Sequence, residues 1–275
     1  NPPYVVYPSD DVPYDLAPVG YQTISCKNLY ALVLERAAQL GSGYAALGLI
    51  VQLSSMSSEK MFPLQNLYAS RGLTAIIPFP RRPESVFSGV EMPVAIWLSL
   101  SSLPNLFTTR VYRFYSQERK NALATLGLYR HTQRLQGFRV AKLDGPVAMA
   151  VMERLSGHSL VLDGLTTKHA EARLHYQEAC RYWAKASNVE PSFIRNGEKV
   201  SQPHGRQITF SSNEAAAFAA CLMNSSLFYW LYSVASDCEH INDSLVRQFP
   251  VPIKWGEKDW LNIAASLNSE LERYA

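Results

Sequence analysis

The chain has 275 residues, 47% of them hydrophobic and 18% charged, with a formal net charge of +3. That balance excludes an intrinsically disordered chain; the charge is too small to establish a nucleic-acid partner by itself, but it leaves room for a basic cleft. No run of eighteen apolar residues occurs, the four cysteines (Cys26, Cys180, Cys221, Cys238) form no CxxC pair, and Cys238 with His240 in DCEH falls short of a zinc site. The expectation is a cytoplasmic protein with reduced thiols, no bound metal and no membrane contact.

In chain order, NPPYVVYPSDD opens as a rigid turn. Pro2 and Pro3 fix two φ angles and remove two donors, and Pro2 biases Asn1 towards extended backbone. SCKNLYALVLERAAQLGSG predicts a helix capped by Ser25, with Leu29, Leu32, Val33, Ala37 and Leu40 on one face and Gly41 at its end. The apolar run from Ala45 to Leu53 predicts a strand buried on both faces. SSEKMFPLQNLYASRG predicts a second helix, with Pro63 in its first turn and Gly72 at its end. Strands follow from Leu73 to Pro78 and from Met92 to Leu100, with no helix between them. They should therefore pair antiparallel, as a hairpin at the sheet edge.

After residue 103 the texture becomes shorter and more polar. A long helix is expected over Thr166–Ser187, then a polar loop, NVEPSFIRNGEKVSQPHGRQITFSS, then an apolar helix from Asn213. The apolar window Ala215–Ser236 is interrupted by Asn224, Ser225 and Ser226, which argues for a buried helix. EHINDSLVRQFPVP and an amphipathic helix from Glu257 complete the chain. Helix–strand alternation in residues 1–103 gives an α/β layer, and residues 104–275 read as a separate mixed α+β domain.

NPPY, followed by NLYALVLERAAQL, a Gly-led buried strand (GSGYAALGLIVQ), AIIPF, and RPESVFSGVEMPVAIWLSL, resembles the DNA adenine-N6 methyltransferases of restriction–modification type. The resemblance covers about residues 1–100. A weaker echo in LMNSSLFYWLYSVASDCEHINDSLVRQFPVP is similar to the end of their target-recognition region. It implies the C-terminal part of a doubly wound methyltransferase sheet ending in the antiparallel hairpin, followed by the recognition domain. The implied activity is transfer of a methyl group from S-adenosylmethionine to the N6 amino group of a flipped adenine in double-stranded DNA. In that family the asparagine side chain and the first proline carbonyl accept the two amino hydrogens; here those are Asn1 and Pro2, with Pro3 stiffening the turn. The amino lone pair is delocalised into the ring, so fixing both hydrogens orients it for attack. By the same resemblance Tyr4 and Phe87 stack on the flipped base. On their own residues, Tyr4 reads equally as terminal packing and Phe87 as core.

Arg81 and Arg82 on the loop before Phe87 are candidates for a phosphate beside that nucleotide, and a solvated loop pair is the competing reading. Arg195, Lys199, His204 and Arg206 lie on a glycine-containing loop of the sort that reads bases. The family's glycine-rich S-adenosylmethionine motif belongs before NPPY. The chain is therefore expected to begin mid-domain, to be inactive alone, and to work with a missing N-terminal half of the same protein and with restriction or defence-system subunits. Two rivals remain open: a methyltransferase of the same fold acting on a protein glutamine amide, and a DNA-specificity module without catalysis.

Overall fold

The computed structural model describes residues 1–41, 45–100, 102–122, 124–131, 140–180, 182–200 and 202–273; of Ala122 and Lys199 only the backbone is described. It is a mixed α/β chain in two compact units, Asn1–Ala150 with Ser233–Asp237, and Val151–Tyr232 with Cys238–Ala275.

The first unit contains α1 (Leu29–Leu40), β1 (Ala46–Gln52), α2 (Ser54–Ser57), α3 (Phe62–Arg71), β2 (Leu73–Phe79), β3 (Val94–Leu100), β4 (Asn105–Thr108), α4 (Arg119–Ala122) and β5 (Tyr129–Arg130). Its sheet has the order β1-β3-β2-β4-β5. β3 runs antiparallel to both neighbours, with Trp97 opposite Leu49 on one side and Ile76 on the other. β1 and β2 are therefore parallel to each other. The β2–β3 pairing is antiparallel as expected, but the hairpin is not at the edge. β3 inserts between β1 and β2, and β4 adds parallel to the outer side of β2. That addition also displaces the boundary expected after residue 103, since β4 and β5 extend the first sheet.

β1 pairs with one described strand only, and it is not buried on both faces: Val51 is buried, but Ala46 and Gly48 are exposed. The centre of the sheet is Trp97, whose indole N–H donates to Ser55 Oγ at 3.0 Å and whose ring meets Tyr68 edge-on at 5.3 Å. The Tyr68 hydroxyl donates to the Leu34 carbonyl at 3.0 Å, which ties α3 to α1. Gly72 follows the end of α3, and no other residue fits there, since a Cβ would lie 2.2 Å from the Leu100 carbonyl oxygen.

α1 is capped by Asn28, whose side chain accepts from Tyr30 N, rather than by Ser25, which lies in the short 3₁₀ turn Gln22–Cys26. Its buried face is the expected one only in part. Leu29 and Leu32 are buried as expected, but Tyr30, Ala31, Leu34, Glu35 and Ala38 are buried with them, whereas Val33 and Leu40 are exposed. The physical reason is Glu35. Its carboxylate accepts from Gln22 N at 3.1 Å, Thr23 N at 2.8 Å and Thr23 Oγ1 at 2.8 Å, so the 3₁₀ turn packs on that face. A buried carboxylate is stable only with such donors.

α5 (Pro146–Ser156) carries the chain from the first unit into the second. There follow β6 (Leu160–Val161), β7 (Arg173–Gln177), β8 (Ala186–Ser187), β9 (Ile194–Arg195), β10 (Glu198–Lys199), β11 (Gly205–Thr209), α6 (Asn213–Met223), α7 (Ser226–Ala235), α8 (Asp243–Arg247), β12 (Pro250–Val251) and α9 (Trp260–Arg273). The long helix expected over Thr166–Ser187 is absent. β7 forms the middle of a β11-β7-β8 sheet, with Ala172, Leu174 and Tyr176 buried in alternation. The period of two prevails over helix-favouring composition once a partner strand lies on each side. Part of the expected polar loop is likewise ordered. Asn196 and Gly197, both at positive φ, close a β9–β10 hairpin, and β11 follows. The apolar helix is two helices bent by 67°, with Ser225 Oγ accepting from Phe228 N at the break; among the described residues no single helix is long and apolar enough to cross a membrane.

His131, next to β5, gives the first unit an acid-sensitive point. Its Nε2 lies 2.7 Å from Thr108 Oγ1, and burial pushes the imidazole down from 6.5 to about 4. Below pH 6.5 the unfolded imidazole takes up a proton that the folded one takes up only near pH 4. Stability present above pH 6.5 is thus lost as the pH falls through that window, on the order of 3 kcal/mol in all. Urea midpoints measured from pH 7 to pH 4 should fall less steeply for His131→Gln than for the unchanged chain. Equal slopes would assign the acid sensitivity to other groups.

Candidate functional site

The site predicted from NPPY is built at the carboxyl ends of two parallel strands. Across β3, Ile50 of β1 is level with Ile77 of β2, and Gln52 with Phe79, so both strands end together. Crevices at such ends are where open α/β sheets place ligands. Pro2 is buried, Asn1 and Pro3 are exposed, and Tyr4 is half-buried. The Tyr4 hydroxyl donates to the Ile50 carbonyl at 2.9 Å and lies 3.1 Å from Asn1 Oδ1, while its ring meets Tyr30 edge-on at 6.0 Å. Burial raises its phenol above the usual value, which keeps it a donor at neutral pH.

The Tyr4 hydroxyl stands between two carbonyl acceptors, Ile50 O and Asn1 Oδ1, and shares its proton between them. A carbonyl oxygen has two lone pairs, so Asn1 Oδ1 keeps one for a further donor. Tyr4 therefore anchors the turn to β1 and holds the Asn1 carbonyl beside it.

The loop 80–93 departs from the carboxyl end of β2. Val86 is buried with Ile77, Phe79, Val94 and Phe114, and Ile50 packs against the same cluster. Phe87 next to it is 36% exposed and begins a tight turn, in which Val90 N donates to the Phe87 carbonyl and Gly89 supplies the positive φ. An inward Val86 and an outward Phe87 follow from that turn. NPPY and Phe87 thus stand at one end of one sheet.

The loop is held from outside by groups with no short-range sequence signal. Glu84 pairs with Arg119 at 3.0 Å, Ser116 Oγ donates to Glu84 at 2.6 Å, and Arg119 Nε donates to the Ser85 carbonyl at 3.1 Å. The Ser116 hydroxyl, then the Ser85 N–H and Arg119, hold the Glu84 carboxyl below its usual value. Arg81 donates to the Glu91 carbonyl at 3.2 Å, stapling the base of the same loop, and Arg82 Nε is buried without a hydrogen-bond partner.

The other predicted residues lie in the second unit. Arg195 and Lys199 are on the β9–β10 hairpin, the Lys199 side chain lying outside the described residues, and His204 is exposed at positive φ. Arg206 on β11 is committed to Glu178, with Nε 3.0 Å and Nη2 2.9 Å from the carboxylate. Beside β11 lie two cavities of about 460 and 410 Å³ that share His175, Glu190, Pro191 and Gln202. Desolvation lowers the His175 imidazole, so it is neutral at physiological pH. Among the described residues no cluster of three His, Cys, Asp or Glu side chains could hold a metal.

No protein-family model and no curated protein matches the chain, so geometry carries the functional argument.

Tyr4→Phe isolates the hydroxyl's role. Loss of the bond to Ile50 should cost about 0.5–1.5 kcal/mol and speed amide hydrogen exchange in residues 4–7 and in β1. Unchanged exchange there would mean that the hydroxyl does not anchor the turn.

Proposed function

We propose that the chain provides the acceptor side of a DNA adenine-N6 methyltransferase. The observation that carries this reading is the bond from Tyr4 to the Ile50 carbonyl, which sets NPPY at the carboxyl end of β1, level with the end of β2 where the Phe87 loop departs. The order β1-β3-β2, with the antiparallel strand inserted between two parallel ones, supports it further. In this reading the Asn1 Oδ1 and the Pro2 carbonyl each accept one hydrogen of the adenine amino group. The nitrogen lone pair is thereby turned out of conjugation with the ring and aimed at the methyl donor. Tyr4 and Phe87 hold the extruded ring between them, as bases taken from a duplex must be held.

The methyl donor implied by the resemblance, S-adenosylmethionine, does not fit the residues beside NPPY. The groove next to Pro3, about 340 Å³, is lined by Tyr14, Leu16, Tyr21, Leu29, Leu32, Val33 and their apolar neighbours. Among its described lining residues Arg36 is the one charged group, and none of them offers a carboxylate for ribose hydroxyls. The donor is therefore assigned to polypeptide outside these residues. The single-partner strand β1 and the exposed apolar face of α1 are surfaces of the kind such a segment would cover.

The test is transfer of a labelled methyl group from S-adenosylmethionine to duplex DNA, by this chain alone and by a polypeptide that also contains a donor-binding half. Transfer is expected only in the second case. There Asn1→Ala should lower the rate by about 10²–10³, by analogy with deleting one oxyanion-hole donor. Phe87→Ala should instead weaken base capture by about 1–3 kcal/mol. Full activity in Asn1→Ala would overturn the assignment.

A further inference from the structure

Between Asn105 and His131 the sequence carries Arg110, Arg113, Arg119, Lys120 and Arg130 against a single carboxylate, Glu118. Basic residues interleave there with aromatics in RVYRFY. The structure makes this segment a ribbon on the outer side of the first sheet. Phe107 pairs with Arg130 and Thr108 with Tyr129 across β4 and β5. Beyond β4 the ribbon continues through side chains: the Tyr112 hydroxyl donates to the Thr125 carbonyl at 3.0 Å and accepts from Gly127 N at 2.8 Å. Phe114 is buried against Phe79, with ring centroids 6.4 Å apart, so this stretch is fixed to the core that also holds Val86.

Its cations are left over. Glu118 is turned to the Tyr115 N–H at 2.8 Å, and Arg119 is taken up by Glu84 and Ser85. Arg110, Arg113, Lys120 and Arg130 are exposed, and none of them forms an ion pair among the described residues. The Arg110 guanidinium lies over the Tyr112 ring, 5.4 Å from its centroid, which restricts it without neutralising it. Four unpaired cations on a braced ribbon are costly to one another and are relieved by a polyanion.

We propose that this ribbon is a phosphate rail: Arg110, Arg113, Lys120 and Arg130 bind the phosphodiester backbone of duplex DNA beside the nucleotide taken by NPPY and Phe87. The proposal rests on the acceptor reading above and adds the surface that holds the flanking duplex. The link between the two is the Glu84–Arg119 pair with Ser116, which bonds one end of the rail directly to the Phe87 loop. Phosphate contacts of this kind fix register and orientation and carry no sequence information. Sequence reading is then left to other surfaces of the chain.

The test uses the full chain and mixed-sequence duplex DNA, with affinity followed by fluorescence anisotropy from 50 to 200 mM salt. Four phosphate contacts give a slope of about −3.6 in log K against log salt, and so a loss of roughly 10²-fold over that range. Each of Arg110→Gln, Arg113→Gln, Lys120→Gln and Arg130→Gln should reduce the slope by about 0.9, and the quadruple variant should lose nearly all of it. All four positions are exposed and form no ion pair among the described residues, so Arg113→Gln, Lys120→Gln and Arg130→Gln should unfold at the same urea midpoint as the unchanged chain, and Arg110→Gln slightly below it through the lost contact with Tyr112. Phe87→Ala should leave the slope as it is. A quadruple variant with the original slope and affinity overturns the rail and leaves the acceptor reading standing. No binding by the unchanged chain at 50 mM salt overturns both the rail and the DNA partner.

Discussion

Everything in the first unit depends on β3 being paired along both edges. An antiparallel strand between two parallel ones has its own backbone paired along both edges and brings the ends of β1 and β2 level. It also buries Trp97 at the middle of the sheet, where its indole N–H finds Ser55 and its ring finds Tyr68. Removing that strand would leave two edges that cannot reach one another. The candidate site is a by-product of the same pairing, because the NPPY turn hangs from one strand end and the Phe87 loop from the other.

The two halves of that site are held by different physics. The turn is kept by proline geometry and by one hydroxyl bond to a strand carbonyl, so its backbone is stiff at little energetic cost. The Phe87 loop is kept by packing beneath, through Val86, and by charge above, through Glu84 and Arg119. Exposed ion pairs contribute little individually, but this one carries additional hydrogen bonds from Ser116 and to Ser85, which fix direction more than they add stability. A loop built in this way can present an exposed aromatic without collapsing onto it.

The strands β1, β2 and β3 were legible because each is a bounded apolar run, and Gly72 was legible as a stop. Which edge each strand would take was not. β2 leaves the sheet edge because β4 pairs with it, and β4 is a short segment whose sequence differs little from the polar connections around it. The face of α1 was partly misread because Glu35 counts as polar in any periodicity argument, yet in the fold it is the buried anchor for Gln22 and Thr23. Thr166–Ser187 was misread because alanine, glutamate and arginine favour helix, while the alternation of Leu174 with Tyr176 spans too few residues to outvote them. The Asn196–Gly197 turn was a signal in plain view. For the candidate site, NPPY and Phe87 were singled out through resemblance, and the NPPY turn and the Phe87 loop lie at the carboxyl ends of β1 and β2. Glu84 and Arg119 could not be found, since no local pattern joins residues so far apart.

The first unit is discontinuous in sequence. Ser233–Asp237 returns to it after the chain has passed through most of the second unit. There the Val234 carbonyl accepts from Lys142 N, and the Ser236 carbonyl accepts from the buried Lys142 ammonium. On the ribosome the sheet of the first unit can form early, but Lys142 must wait for its partners until residue 237 has emerged. Domains usually fold as units during synthesis, N-terminal ones first. Here the first unit is completed only after residues 151–232 of the second have been made, so its last contacts wait on the synthesis of most of a later unit.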